Sequence, residues 1–333
     1  MGRRAEMTAG RAEIGVAVIG RNEGARLVAC LQSLGDFAAN TVYVDSGSTD
    51  GSADAARRLG AQVVELDMGI PFTAARARNA GFALLEVVRP DLEFVQFVDG
   101  DCTLASGWLA AAREFLASHE DVAIVAGRRR ERSPEKSVYN ALCDREWNSP
   151  LGEALETGGD CLVRASAFRQ AGGYSDDLIA GEEPEMCVRL RTHGWRIWRL
   201  DAEMTMHDAN ILRLGQWWWR AVRAGHAFAE VSARHAGSPF AIWQKNARRA
   251  LIWGLALPGV ALAGAFVHPV SLGLLLLYPL QVARIALRER PVKRSSWTYA
   301  FFMALSKFPE AQGVLRYHWG RLLKRRTRII EYK

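Results

Sequence analysis

The feature that most constrains the fold is an alternation. Between residues 14 and 98, short apolar runs alternate with segments whose apolar residues recur every three or four positions. IGVAVI (14–19), closed by Gly20, suits a buried parallel strand. From about Ala25 to Leu34, the positions Leu27, Val28, Leu31 and Leu34 mark one face of a helix. TVYV (41–44) reads as a second strand ending in the polar turn DSGSTDGS. A helix over Ala53–Leu59, a third strand AQVVEL (61–66) and a helix over about 73–88 come next. The fourth strand, EFVQFV (93–98), runs directly into Asp99-Gly100-Asp101. Such an order predicts βαβ units, hence an α/β fold with a mainly parallel sheet and flanking helices. In such sheets ligands bind beyond the carboxyl ends of the strands. The polar segments DSGSTD and DGDC sit at such ends, so fold and chemistry point to one edge.

The pattern from about 151 to 235 is mixed. TGGDCLVRASAFRQAGG predicts a strand, a short helix and a glycine stop. GEEPEMCVRLRTHG predicts a helix with Pro184 in its first turn and Gly194 just past its end. WRIWRL (195–200) has the alternation of a strand.

A chain of 333 residues, 49% hydrophobic and 24% charged, has room for a substantial core and is not of disordered composition. Its five cysteines, Cys30, Cys102, Cys143, Cys161 and Cys187, lie far apart without a CxxC pair. That spacing argues against a zinc site or a disulfide framework and fits a reducing cytoplasm. The start, MGRRAEMTAGRAE, is basic but leads into no continuous apolar run, so residues 1–13 are expected to be a flexible tail rather than a secretory signal. The formal charge of +7 gathers in three clusters: Arg128, Arg129, Arg130 and Arg132; Arg284, Arg288, Arg290, Lys293 and Arg294; and Arg321, Lys324, Arg325, Arg326 and Arg328. Clusters of this kind suit anionic lipid or phosphorylated substrates, or form a solvated surface. Nucleic acid is not an expected partner, because the arginines lack interleaved stacking aromatics except near the C-terminus.

The strongest local signal is Asp99-Gly100-Asp101 at a strand end. Two carboxylates one residue apart can address one divalent cation, and a hard ion such as Mg²⁺ or Mn²⁺ prefers oxygen ligands and bridges carboxylate to phosphate. The second signal, Asp45-Ser46-Gly47-Ser48-Thr49-Asp50-Gly51, offers carboxylates, hydroxyls and close-approach glycines suited to a base and ribose; an ordinary turn with a helix N-cap is the plainer alternative.

VAVIGRNEG, VDSGSTDGS, ARNAG (77–81), FVDGDC, TGGDCLVRASAFRQAGGY and GEEPE stand in the order and rough spacing of family 2 glycosyltransferases, which the chain resembles over about residues 14–235. The resemblance implies a GT-A fold, Rossmann-like, and a nucleotide-sugar donor, a UDP- or GDP-sugar. It implies donor contacts for Arg21, Asn22 and Glu23, a base contact for Asp45 with Ser48 in the same loop, and a place near the diphosphate for Arg78 and Asn79. Asp99 and Asp101 are similar to the metal and ribose carboxylates of a DxD motif, and both are candidate metal ligands. Gly158, Gly159 and Asp160 resemble the acceptor-side loop. Where the family usually has Glu-Asp with the catalytic base second, this chain has Glu182-Glu183, so either could serve. A helix beginning at Pro184 holds both at its positive end, which favours an ionised base. His207, following the strand that ends near Leu200, is a candidate third metal ligand or phosphate contact, a structural histidine being the plainer alternative. Gln216-Trp217-Trp218-Trp219-Arg220 only loosely resembles the QxxRW motif of processive enzymes, so polymerisation is not inferred. Trp218 is instead a candidate for acceptor stacking or the membrane interface.

Beyond about 236 the composition shifts. Residues 250–267 and 270–283 carry no charge and are separated by His268-Pro269. About 18 residues at 1.5 Å each give roughly 27 Å, near the lower limit for crossing a hydrocarbon core. Arg248 and Arg249 flank one end, and Arg284, Arg288 and Arg290 the other, which predicts a membrane hairpin over about 250–287 with both ends cytoplasmic. Residues 297–333 mix aromatics with Lys and Arg, as an interfacial amphipathic helix does. The expectation is an inner-membrane enzyme with three parts: a tail (1–13), a catalytic domain (14–235) on the cytoplasmic side, and a helical region (236–333). It would transfer sugar with inversion to a lipid-linked or glycan acceptor in polysaccharide or glycolipid synthesis. A nucleotidyltransferase of similar sheet and a non-catalytic scaffold with a relict domain are the rivals.

Overall fold

The computed structural model describes residues 13–324, and its first strand, β1 (Ile14–Gly20), has six consecutive buried residues. A strand covered on both faces requires this, because alternate side chains point to opposite sides of a sheet. Strands β2 (Thr41–Asp45), β3 (Gln62–Glu65) and β4 (Phe94–Asp99) follow, all parallel, in the spatial order β3-β2-β1-β4. Each is reached through a helix: α1 (Ala25–Ser33), α2 (Ser52–Arg58) and α3 (Ala74–Val88). Helix α1 buries Leu27, Cys30 and Leu31. Helix α3 buries Phe82 and Leu85 and lies close on the sheet at Gly81, where a Cβ would stand 3.1 Å from both the Ala17 Cβ and Val44 Cγ2. These elements follow the expected alternation closely.

The rest of the sheet departs from the expectation. The elements are β5 (Cys102–Leu104), α4 (Trp108–Ser118), β6 (Val122–Glu131), α5 (Val138–Trp147), β7 (Gly152–Ala154), β8 (Cys161–Arg164), α6 (Ala165–Ala171), α7 (Glu182–Thr192) and β9 (Arg196–His207). The order continues β4-β8-β6-β9-β5, with β7 on β9. Pairs β4–β8, β8–β6, β9–β5 and β7–β9 are antiparallel and β6–β9 is parallel, so the sheet is mixed rather than mainly parallel. The strand missing from the sequence-based expectation is β6, whose sequence VAIVAGRRRE reads as a charge cluster. Its arginines alternate sides as strand residues must. Arg128 pairs with Asp201 at 2.6 Å and Arg130 with Asp144 at 3.0 Å, while Arg129 between them is largely buried. The first basic cluster is therefore not an open anionic-ligand patch.

The chain forms two compact units that meet between Asn210 and Ile211. The boundary read from the sequence, near 235, falls after helix α8 (Leu214–Arg234), which groups with the C-terminal helices. In the second unit α9 (Gln244–Leu251) continues through a π-helical turn, Ile252–Ala256, into α10 (Leu257–Ala265). A 3₁₀ stretch, Pro269–Leu276, leads into α11 (Leu277–Leu287), and α12 (Arg294–Leu305) and α13 (Lys307–Leu322) follow. Glycines set the helix spacing: Cβ atoms at Gly225 and Gly254 would overlap the backbone of Glu310 and Lys307, and one at Gly313 the backbone of Val222. The segments around the 266–268 turn form a hairpin, closed by a 2.9 Å bond from Ser271 Oγ to Ala261 O and by the Tyr278 hydroxyl on Trp253 O. Among the described residues one segment, Pro269–Leu287, is long and apolar enough to cross a membrane, with mean hydropathy 1.7 and 6% of it buried. The N-terminal tail up to residue 12, and Arg325, Arg326 and Arg328 of the third basic cluster, lie outside the described residues.

Candidate active site

Register brings the site together. Gly20 pairs with Asp45 and Ile19 with Asp99, so the carboxyl ends of β1, β2 and β4 open onto one edge of the first unit. The loops after β1 and β2 are tied to each other. Asn22, at φ 56°, donates its backbone N–H to Ser48 Oγ at 2.9 Å, and its side-chain carbonyl accepts the Thr49 N–H at 2.8 Å. Asp45 is buried, and its carboxylate accepts the Tyr43 hydroxyl at 2.9 Å and the N–H groups of Gly47 and Ser48 at 3.0 and 2.7 Å. Asp45 thus builds the loop. Arg21 lies 4.7 Å from the centre of the Phe72 ring, and Glu23 pairs with Arg26 at 2.6 Å.

Arg78 is the hub. Helix α3 carries it to the sheet edge, where its guanidinium is almost wholly buried. Nη2 reaches Asp99 Oδ1 at 2.8 Å; Nη1 reaches Glu182 Oε1 at 2.9 Å and Glu183 Oε1 at 2.7 Å. The two glutamates are the first residues of α7, entered through Gly181 at φ 83°, with Pro184 in the first turn as expected. Gly159 makes room: a Cβ there would overlap the Arg78 guanidinium and lie 3.0 Å from Glu183 Oε1. Burial, with repulsion from Glu182, raises Glu183 to about 7 even though Arg78 pulls the other way. Burial alone would raise Asp99 too, but Arg78 and Arg129 outweigh it and hold that carboxyl below its ordinary range. One arginine therefore touches a carboxylate held ionised and another poised near neutrality.

The second focus is Asp101. Its Oδ1 lies 3.4 Å from His207 Nε2, at the end of β9. Asp101, Cys102 and His207 each offer an atom within 4.8 Å of the others. The Cys102 thiol is a poor member of that set: burial, joined by Asp160, pushes it far above its ordinary value, and it donates to Asp160 Oδ2 at 3.2 Å. Asp101 and His207 supply the oxygen and nitrogen that a hard or borderline divalent ion takes. The charge balance agrees, since Arg78 and Arg129 face the carboxylates of Asp99, Asp101, Asp160, Glu182 and Glu183, a set that a divalent cation would bring nearer neutrality. The residues present fit such an ion.

Three of the candidates make hydrogen bonds within the protein itself. Asp160 is buried, accepting the Asp99 N–H at 3.0 Å and the Thr205 hydroxyl at 2.8 Å, so it supports the Asp99–Asp101 turn. Asn79 spends its amide on the Tyr174–Asp176 loop, donating to Tyr174 O at 2.8 Å and accepting the Tyr174 N–H at 2.9 Å. Trp218 belongs to the second unit, where its indole N–H bonds Gln312 at 2.9 Å. Conversely, Arg129 was legible only as part of a charge cluster. It lies 3.6 Å from Asp99 Oδ2 and 3.5 Å from Asp160 Oδ2, with its guanidinium 4.8 Å from the Trp147 ring centre. The period-two alternation of β6 is the signal that singles it out.

A half-parallel sheet with an acidic, arginine-bridged strand edge belongs to the GT-A-like class of α/β folds. The comparisons with known proteins agree. Residues 16–168, a little under half of the chain, match the family described as Glycosyl transferase family 2. It is 25% identical over 235 residues to the succinoglycan biosynthesis protein ExoA of Rhizobium meliloti (strain 1021), covering 66% of this chain and 69% of that one. It is 27% identical over 175 residues to a pre-mycofactocin glycosyltransferase of Mycobacterium tuberculosis, covering 48% of this chain but 35% of that relative. Its fold is similar to that of a mannosyltransferase from Pyrobaculum calidifontis solved with GDP-Man and Mn²⁺, at TM-score 0.64 and 20% identity, covering 93% of this chain and 88% of that one.

Proposed function

We propose that the chain transfers a sugar, with inversion, from a nucleoside-diphosphate donor to a lipid-linked acceptor in bacterial polysaccharide or glycolipid assembly. The observation that carries this reading is the bridging of Asp99 to the Glu182–Glu183 pair by the buried Arg78. It joins the donor edge of the sheet to a carboxylate near neutrality, as a single displacement needs. Glu183 takes the proton of the acceptor hydroxyl. The acceptor oxygen attacks the anomeric carbon from the face opposite the departing diphosphate, and the C–O bond to that diphosphate breaks. Arg78 and Arg129, both beside Asp99, are the cations that would meet the growing negative charge on the leaving group. Asp101 and His207 would hold Mg²⁺ or Mn²⁺, which supplies further charge neutralisation there. The relatives' named roles in succinoglycan and mycofactocin chemistry support an extended-glycan or small-molecule glycoside product.

The second unit suits attachment to the inner membrane with the transferase domain on the cytoplasmic side. At the hairpin turn Phe266, Val267 and Val270 are 94%, 90% and 76% exposed, and Arg248, Arg249, Arg284 and Arg288 flank its base. All five cysteines are free and buried, in keeping with a reducing compartment.

The test is a donor screen. Solubilised enzyme is given UDP- and GDP-sugars with Mn²⁺, Mg²⁺ or EDTA, and nucleoside diphosphate release is followed with and without lipid extract. Release from one donor that EDTA abolishes and lipid extract stimulates is the expected result. Release of nucleoside monophosphate instead would overturn the reading.

A further inference from the structure

Behind the Asp101–His207 pair stands a carboxylate that no sequence motif marks. Glu131 is the last residue of β6 and 3% exposed. His207 closes β9 and stands in register with Glu131 on one side and Cys102, next to Asp101, on the other. Its ring therefore lies between two acids. Nε2 is 3.4 Å from Asp101 Oδ1, and Nδ1 is 3.7 Å from Glu131 Oε2. The Trp147 ring meets the imidazole edge-on, with centroids 4.7 Å apart at 73°, which limits rotation.

Glu131 is itself held tightly. Oε1 accepts the Ser133 N–H at 3.1 Å and Asn140 Nδ2 at 3.2 Å, and Oε2 accepts the Ala209 N–H at 3.0 Å. These three bonds close the loops that follow β6 and β9. They also fix the position of Oε2, which stands beside the imidazole as well as on the Ala209 N–H. A carboxylate beside Nδ1 makes that nitrogen the protonated one and leaves the Nε2 lone pair on the Asp101 side. At 3.7 Å the contact is longer than a hydrogen bond and within ion-pair range.

We infer that Glu131 is a positioning residue, holding His207 as the Nδ1–H tautomer so that Nε2 is delivered as a divalent-cation ligand beside Asp101. The inference rests on the metal-dependent reading above, and goes beyond it in assigning a role to a residue outside every recognised motif. Glu131 touches neither donor nor acceptor in this role; it acts through the imidazole.

The experiment is a Mn²⁺ titration of the full chain without donor, followed by electron paramagnetic resonance, with pulsed detection of imidazole nitrogen coupling. Wild type is compared with Glu131→Gln, Glu131→Asp, His207→Ala, Asp101→Ala and the Glu131→Gln/His207→Ala double variant, each checked by thermal unfolding. The expected results are a roughly 10–100-fold weaker Mn²⁺ affinity for Glu131→Gln, loss of the nitrogen coupling, and partial recovery of both in Glu131→Asp. In the His207→Ala background, Glu131→Gln should cost nothing further, because its effect passes through the ring. A merely structural role would add its cost in that background and overturn the inference, as would wild-type Mn²⁺ without nitrogen coupling. If Asp101→Ala binds Mn²⁺ as well as wild type, the metal reading itself fails. If Asp101→Ala loses the ion while Glu131→Gln keeps it, the Glu131 assignment alone fails.

Discussion

The two units solve opposite problems. In the first, charged groups go inside and apolar side chains are well covered: Arg78, Glu182, Glu183, Asp101 and Asp160 are all buried among the sheet and its helices. In the second, most of the large apolar side chains that are exposed among the described residues crowd the hairpin and its flanks, while a small cluster around Ala229, Ala250 and Val314 forms an interior. Ionised groups inside a protein need mutual pairing, and apolar groups outside one need a non-aqueous neighbour. The first unit gathers charge at one edge of its sheet, and the second turns much of its apolar surface outward.

The sharpest way to break this contrast is to remove the proton acceptor. Glu183→Gln should lower transfer by about 10²–10⁴-fold, with donor affinity retained, whereas Glu182→Gln should cost far less. Rates and donor binding measured on both variants decide it, and the reverse ranking would move the base to Glu182. Next, Asp101→Ala should cost about 10²–10³-fold in turnover, the scale of a lost electrostatic stabiliser, and added Mn²⁺ should not restore it. An unchanged thermal midpoint would show that the loss is chemical.

In the second unit, Phe266→Glu with Val267→Glu places charge where lipid is expected, at about 2.5–3.5 kcal/mol per charge near the bilayer centre and less toward its surface. The double variant should shift from the membrane pellet to the supernatant on fractionation. Unchanged pelleting would mean that the hairpin does not enter lipid.

The smallest effects sharpen the polar side. Because Glu183 must be ionised to act and burial raises it to about 7, kcat/KM should fall as pH drops below about 7 and level off above. Arg78 holds that value down, so Arg78→Gln should move the limb upward as well as lower the rate. Gly159→Ala should disturb the same contact sterically, destabilising by about 1–3 kcal/mol, read as a lower thermal midpoint with reduced turnover.

Much of this was legible without coordinates. The strands and helices from Ile14 to Asp99 follow from apolar periodicity, and the helix at Glu182–Thr192 from Pro184 and Gly194. The second half of the sheet was not legible, since β6 hides behind its arginines and β5 and β7 are three residues long. Short antiparallel partners have no period of their own to read, and their pairing is a long-range decision. Roles suffered in the same way. Asp45, Asn79 and Asp160 are polar residues in recognised motifs, yet their hydrogen bonds go to the protein's own loops.

By itself, then, the chain's linear pattern determined the class of sheet, the edge where chemistry gathers, the family and the apolar character of the C-terminal helices. These are local properties, written in spacing and composition. The tertiary structure alone decided that Arg78 joins Asp99 to both glutamates, that Arg129 leaves its cluster to reach the site, and that Glu131 stands behind His207. The physical reason is separation along the chain. Arg78 and Glu182 are 104 residues apart and 2.9 Å distant, and only the register of the sheet and the packing of α3 against it close that interval.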